Sequence, residues 1–240
     1  MANSAIATLR VVDHEVAARP CPDDLARVSA PLTSTLTAEL DGAVSYLDVP
    51  AEEILLAAVS RAIGRVIGDG DVAVDVNANG HFTVVLGRMS TRSASATNVL
   101  RAVHRSLAAA RFDIGGPPLP SVDVAFSYFG AVPEPVSHDA LLSHEMLPSL
   151  GHALEVRVYR SAGVDHMDWW YDTRRLDRPT VEELTEQFPL ALIDFTSDAV
   201  PPIRDLRTWP WPRFCATGGS GLAFENASKG SELKPDRENH

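Results

Sequence analysis

Lysine is nearly missing from this 240-residue chain: Lys229 and Lys234 are the only two, the other basic residues are arginine, and a net charge of −11 argues against a cationic surface. Nonspecific nucleic-acid and anionic-membrane binding both need one, so neither partner is expected. Cysteine is almost as scarce. Cys21 and Cys215 stand near opposite ends without a CxxC pair, which argues for free thiols in a reducing cytosol rather than a disulfide framework. No stretch approaches the ~20 apolar residues of a membrane span. The opening MANSAIATLRVVDHE lacks a basic segment followed by an apolar run, so no signal peptide is read and a cytoplasmic protein is expected. Walker A and dinucleotide fingerprints are absent too, and GGSG at 218–221 lacks the flanking strand and helix of a phosphate loop.

What remains is the composition of a globular domain long enough to bury a full core. IATLRVV (6–12) reads as an opening strand, followed by a polar, proline-containing stretch to about residue 36. In DVPAEEILLAAVSRAIGRVIGDG, Asp48 is the expected N-cap, Glu52 and Glu53 complement the helix dipole, and apolar residues from Ile54 to Ile67 recur on one face. DVAVDV (71–76) and HFTVVLG (81–87) alternate around the Asn79-Gly80 turn signal and read as a hairpin. A second amphipathic helix spans 95–111. HALEVRVYR and DHMDWWYD flank Ser161-Ala162-Gly163 as another hairpin. A last helix is expected from Thr180 with Glu183 as capping-box partner, kinked at Pro189. Interleaved strands and helices make this an α/β or α+β fold with a mixed sheet. Three regions are expected: a domain over 1–200, a Pro/Trp-rich strap over 201–216, and a polar, disordered tail over 217–240.

Among eight histidines, His138 and His144 have the wrong spacing for HExxH. His104 is expected at the solvent edge of its helix, and His152 and His166 to face each other across the hairpin as structural residues. His81 directly follows NANG, is expected at the end of a buried strand where a loop could present it to a cleft, and is the candidate general base. No metal site is indicated.

The helix VPAEEILLAAVSRAIGRVIG, the strand and turn VAVDVNANG, the strand VDVAFSYFGAV and the closing LEVRVYRSAGVDHMDWWYDTRRLDRPTVEELTEQFPLALIDF recur in an order that resembles the carboxy-terminal lobe of nonribosomal peptide synthetase condensation and epimerization domains. FSYFG at 126–130 is similar to that family's FNYLG motif. The resemblance, covering about 6–198, implies one lobe of a chloramphenicol-acetyltransferase-like sandwich. Such domains hold two lobes in a V around a tunnel, where carrier-bound substrates are joined. It implies Asn77, Asn79, Ser127, Tyr128, Phe129 and Gly130 as tunnel-lining or substrate-binding positions. The family's HHxxxDG motif, carried by the amino-terminal lobe, occurs nowhere in the chain. Asn77 stands where epimerization domains place a glutamate in EGHGR, and an amide cannot take a proton as a carboxylate does, so epimerase activity is not expected. TVVLGR at 83–88 departs from the family's TVGWFT. The implied function is a half-domain in secondary-metabolite biosynthesis that needs a partner: an amino-terminal condensation lobe or synthetase module, and a peptidyl or acyl carrier protein bearing 4'-phosphopantetheine. Two other readings stay open: a homo-oligomeric small acyltransferase with an intersubunit site, and a non-catalytic binding or scaffold module using the Pro/Trp strap.

Overall fold

The computed structural model describes residues 9–18, 20–78, 80–87, 94–112, 122–132, 151–201 and 203. Asn79, His138, His144, Cys215, the GGSG run and nearly all of the expected strap and tail lie outside them.

The elements in chain order are β1 (Leu25–Ser29), α1 (Ser34–Leu47), α2 (Ala51–Val66), β2 (Val72–Asn77), β3 (His81–Leu86), α3 (Ala96–Phe112), β4 (Val124–Ala131), β5 (Leu154–Ser161), β6 (Val164–Asp172) and α4 (Arg178–Asp198). The strands form one mixed sheet in the order β1-β6-β5-β4-β2-β3. β4 is its parallel centre, paired in the same direction with β2 and β5, while the two hairpins and β1 add antiparallel pairs. Parallel neighbours must be reached by crossovers, which is why a helix separates β3 from β4.

Alternation along each strand sorts residues onto two faces. Val74, Val76, Val84, Val124, Phe126, Val156, Met167 and Trp169 point into one core shared with the helices. Trp169 lies edge-on to Phe188 of α4 at 5.9 Å between ring centres, so the tryptophan of the W-x-Y pattern anchors the final helix. α2 is the central helix: residues 52–63 are buried all round, not on one face, because neighbouring helices cover the side turned away from the sheet.

The structure corrects several local expectations. Residues 9–12 form no strand; Leu9 donates one backbone bond to Asp71 and Val11 is tied to Asp123. The polar stretch after them holds β1, which exists because β6 offers it a ladder, and the start of α1. Asp48 is not an N-cap. It ends α1 in the left-handed region at φ 53°, and Pro50 caps α2. α4 begins at Arg178 after Asp177, with Thr180 already inside it, and continues through Pro189 to Asp198. His104 is not at the solvent edge: its Nδ1 lies 2.8 Å from Oε2 of the buried Glu53, linking α3 to α2. Ile203 is packed into the core.

Candidate functional site

The face turned away from the helices is polar, and the pairing register aligns its residues. His81 pairs with Asn77, Asn77 with Ser127, Ser127 with Arg157, Arg157 with Asp168, and Asp168 with Ser29. This row crosses all six strands, a span of about 24 Å at normal strand spacing. Ser127, Arg157 and Asp168 are buried, while His81 and Asn77 are exposed. A second row runs Thr83, Asp75, Ala125, Glu155, Trp170, Arg27. Buried polar groups need partners, and most of these have them. Arg157 Nε donates to Glu155 at 2.7 Å. Ser29 donates to Asp168, and Arg27 stacks over Trp170 at 5.4 Å. Burial and the Asp168 charge push the Tyr159 phenol up to about 12, and its hydrogen bond to Asp168 acts in the same direction.

At the β2–β3 end, Asp75 meets His152 Nε2 at 2.8 Å and accepts from Thr83. Burial acts against the carboxylate. The bonds from His152 and Thr83, with the charges of His152 and His81, outweigh it and hold Asp75 below the usual carboxylate range. His81 therefore has a carboxylate close enough to interact, although it opens β3 at the surface rather than ending a buried strand. His152 and His166 do not face each other. His166 pairs with Tyr159 and stacks on its ring at 5.3 Å, while His152 precedes β5 and reaches back to Asp75.

The motif FSYFG is divided between the faces. Ser127 and Phe129 lie on the polar face, Phe129 being exposed. Tyr128 turns toward the helices and packs against the core, so it does not share a wall with Ser127. Burial and the charges of Asp165 and Glu52 raise the Tyr128 phenol. Arg160, bound to Asp165 at 2.7 Å and Asp41 at 2.8 Å, sits close enough to temper that shift. Gly130 has φ 64°, and here β4 slips against β5: Tyr128 pairs with Val158 but Ala131 with Arg160. Three residues on β4 span two on β5, a bulge that glycine accommodates without backbone strain.

His81, Asn77 and Ser127 are thus brought side by side. Arg157, Asp168, Ser29 and Asp75 were not anticipated. For Arg157, Asp168 and Asp75 the advance signal was a charged residue at an alternate position of an otherwise apolar strand; Ser29 gave none. Chemically the row offers an imidazole, an amide and a hydroxyl in sequence, followed by a guanidinium held by a carboxylate. That set can donate to a carbonyl and accept a proton. No group of described residues could hold a metal ion, and no described helix is long and apolar enough to cross a membrane.

No known protein-family profile matches the chain. A region of a phenolphthiocerol/phthiocerol polyketide synthase polypeptide of Mycobacterium tuberculosis is 34% identical over 243 aligned positions, which cover 82% of this chain and 16% of that protein. The Mycobacterium bovis protein of the same name gives the same figures. The chain spans about a sixth of the length of these curated relatives. Among solved structures, the epimerization domain of the third module of tyrocidine synthetase B superposes with a TM-score of 0.61 at 14% identity, covering 81% of this chain and 52% of that one. The X-domain from teicoplanin biosynthesis gives 0.61 at 16% identity, covering 84% and 53%. The condensation domain from the Monacolin K polyketide synthase gives 0.54 at 10% identity, covering 79% and 52%. The fold is therefore that of condensation and epimerization domains, as the motif order implied, and it matches about half of each of those chains.

Proposed function

We propose that this chain, a condensation-domain fold matching about half of such a domain, is one lobe of an acyl-transfer unit in nonribosomal peptide or polyketide biosynthesis. A partner amino-terminal lobe or synthetase module completes it, and the helix-free face forms one wall of the tunnel between them. The observation that carries this reading is the polar row His81–Asn77–Ser127–Arg157–Asp168–Ser29, on a face that no described helix packs against. A sheet face of this kind is suited to polar atoms of an extended substrate, such as the amides and thioester of a carrier-bound 4'-phosphopantetheine arm. Ser127 and Asn77 would orient the substrate carbonyl, and Asn79 and Phe129 would flank it. Gly130 shapes the bulge, and Tyr128 supports the strand from the core side. The general base comes from the partner lobe, since HHxxxDG is absent here.

The test is a condensation assay with acyl-loaded carrier proteins, using this chain alone and mixed with an amino-terminal condensation lobe. Turnover only in the mixture supports the proposal; turnover by the chain alone sinks it. That second outcome favours a homo-oligomeric acyltransferase with His81 as base, a reading supported by the nearness of His81 to Asp75 and Asn77. Tight partner binding without turnover in any mixture points to the scaffold role.

A further inference from the structure

The two ends of the sheet are built differently. β1, at one end, is five residues long, carries Arg27, and is bracketed by Pro20, Pro22 and Pro31. Short length, charge and proline are the devices that keep an edge strand from pairing with another chain. β3, at the other end, has neither the charge nor the proline. Its sequence HFTVVL contains no Lys, Arg, Asp, Glu or Pro, and its six residues pair with β2 in one unbroken register without a bulge. Among the described residues, no backbone group of β3 bonds on the side away from β2. An unguarded, uncharged edge of this length is a template for a further strand.

We infer that β3 is a pairing edge and that its occupant is β3 of a second copy of this chain. The two six-stranded sheets join antiparallel about a two-fold axis. Self-pairing places no like charges opposite each other, because the strand has none to oppose, although the whole chain carries −11. A two-fold axis perpendicular to the sheet keeps the faces matched. His81, Thr83 and Val85 of both copies then share the helix-free face, with the two Thr83 residues opposite each other near the axis and His81 of each copy opposite Val85 of the other. The edge is distinct from the face assigned to a partner lobe. Pairing is read by mass and amide exchange and acyl transfer by turnover, so either can fail without the other.

The experiment measures native mass and backbone amide exchange of the wild-type chain over a range of concentrations. Expected is a dimer whose added protection, growing with concentration, falls on 81–86 and not on 25–29. Val85 is half-buried on the helix-free face at this edge, and Val85→Lys sets two cations near the junction. It should weaken association at least about tenfold, while Val85→Thr stays within about threefold. A chain that is monomeric throughout overturns the inference, as does concentration-dependent protection confined to β1. A Val85→Lys protein that remains folded and dimerises like wild type does the same. So does a monomer whose β3 amides become protected only on adding a different protein.

Discussion

Ser127 and Arg157 stand directly opposite each other on the parallel ladder of β4 and β5, with Asn77 flanking Ser127 on its other side. Ser127→Ala should lower turnover of the reconstituted enzyme about tenfold, the worth of one hydrogen bond to the substrate, with little change in melting temperature. Tyr128→Phe, altering the opposite face, should leave turnover within about twofold. Equal loss from both variants, read in the same carrier-loaded assay, would show that the two faces are not functionally separate.

Gly130 should be replaceable only at a cost set by its backbone. A Cβ there would meet nothing within 4 Å, so steric crowding contributes nothing, but φ is 64°. Gly130→Ala should lose about 1–2 kcal/mol of stability and Gly130→Asn less, because asparagine enters the left-handed region more readily. Urea unfolding of the two variants measures the difference; a neutral alanine would mean that the bulge relaxes.

Asp123 ties three segments together. It is buried, binds Arg10 at 2.7 Å and Arg175 at 2.6 Å, and accepts from the Val11 amide. Burial opposes ionisation, yet the two arginines and that amide hold its carboxyl below the ordinary range. A group whose folded pKa is depressed stabilises above its unfolded pKa and loses that contribution as pH falls through the folded value. Asp123→Asn should therefore cost about 3 kcal/mol near neutrality. The gap to wild type should close as pH drops below about 4. A gap that stays constant from pH 7 to acid in denaturant titrations would rule out the carboxylate charge as its source.

Trp169 should tolerate phenylalanine better than its burial suggests. Its indole N–H is buried without a hydrogen-bond partner among the described residues. Removing an unsatisfied donor recovers about 1–3 kcal/mol, against the cavity left by the smaller ring. Trp169→Phe is expected to cost less than about 1.5 kcal/mol, whereas Phe188→Ala, which empties the other half of the contact, should cost about 3–5. Equal losses in thermal unfolding would mean that the indole nitrogen is satisfied in solution.

Much of this architecture was legible because it is local. Period-2 runs located β2, β3, β5 and β6, the glycine turns located their hairpins, and helical spacing located α2 and α3 to within a few residues. β1 escaped because LARVS has no alternation strong enough to stand alone; it is a strand only because β6 pairs with it. The burial of His104 and the full enclosure of α2 escaped for a related reason. Both depend on which helix lies above which, and no single helix encodes that.

For the candidate site, residue types and tertiary placement divided the work. The amino-acid sequence determined that His81, Asn77 and Ser127 have the needed chemistry, that FSYFG belongs to a condensation-type strand, and that glycine follows its aromatic pair. Alternation within β4 already sends Tyr128 to the face opposite Ser127, but the sequence could not tell that Arg157, Asp168 and Ser29 extend the row. Side-chain alternation is a property of one strand, but alignment across six strands is set by register. Register exists only after crossovers and hairpins have brought distant segments together, so tertiary structure alone decided which polar residues became neighbours.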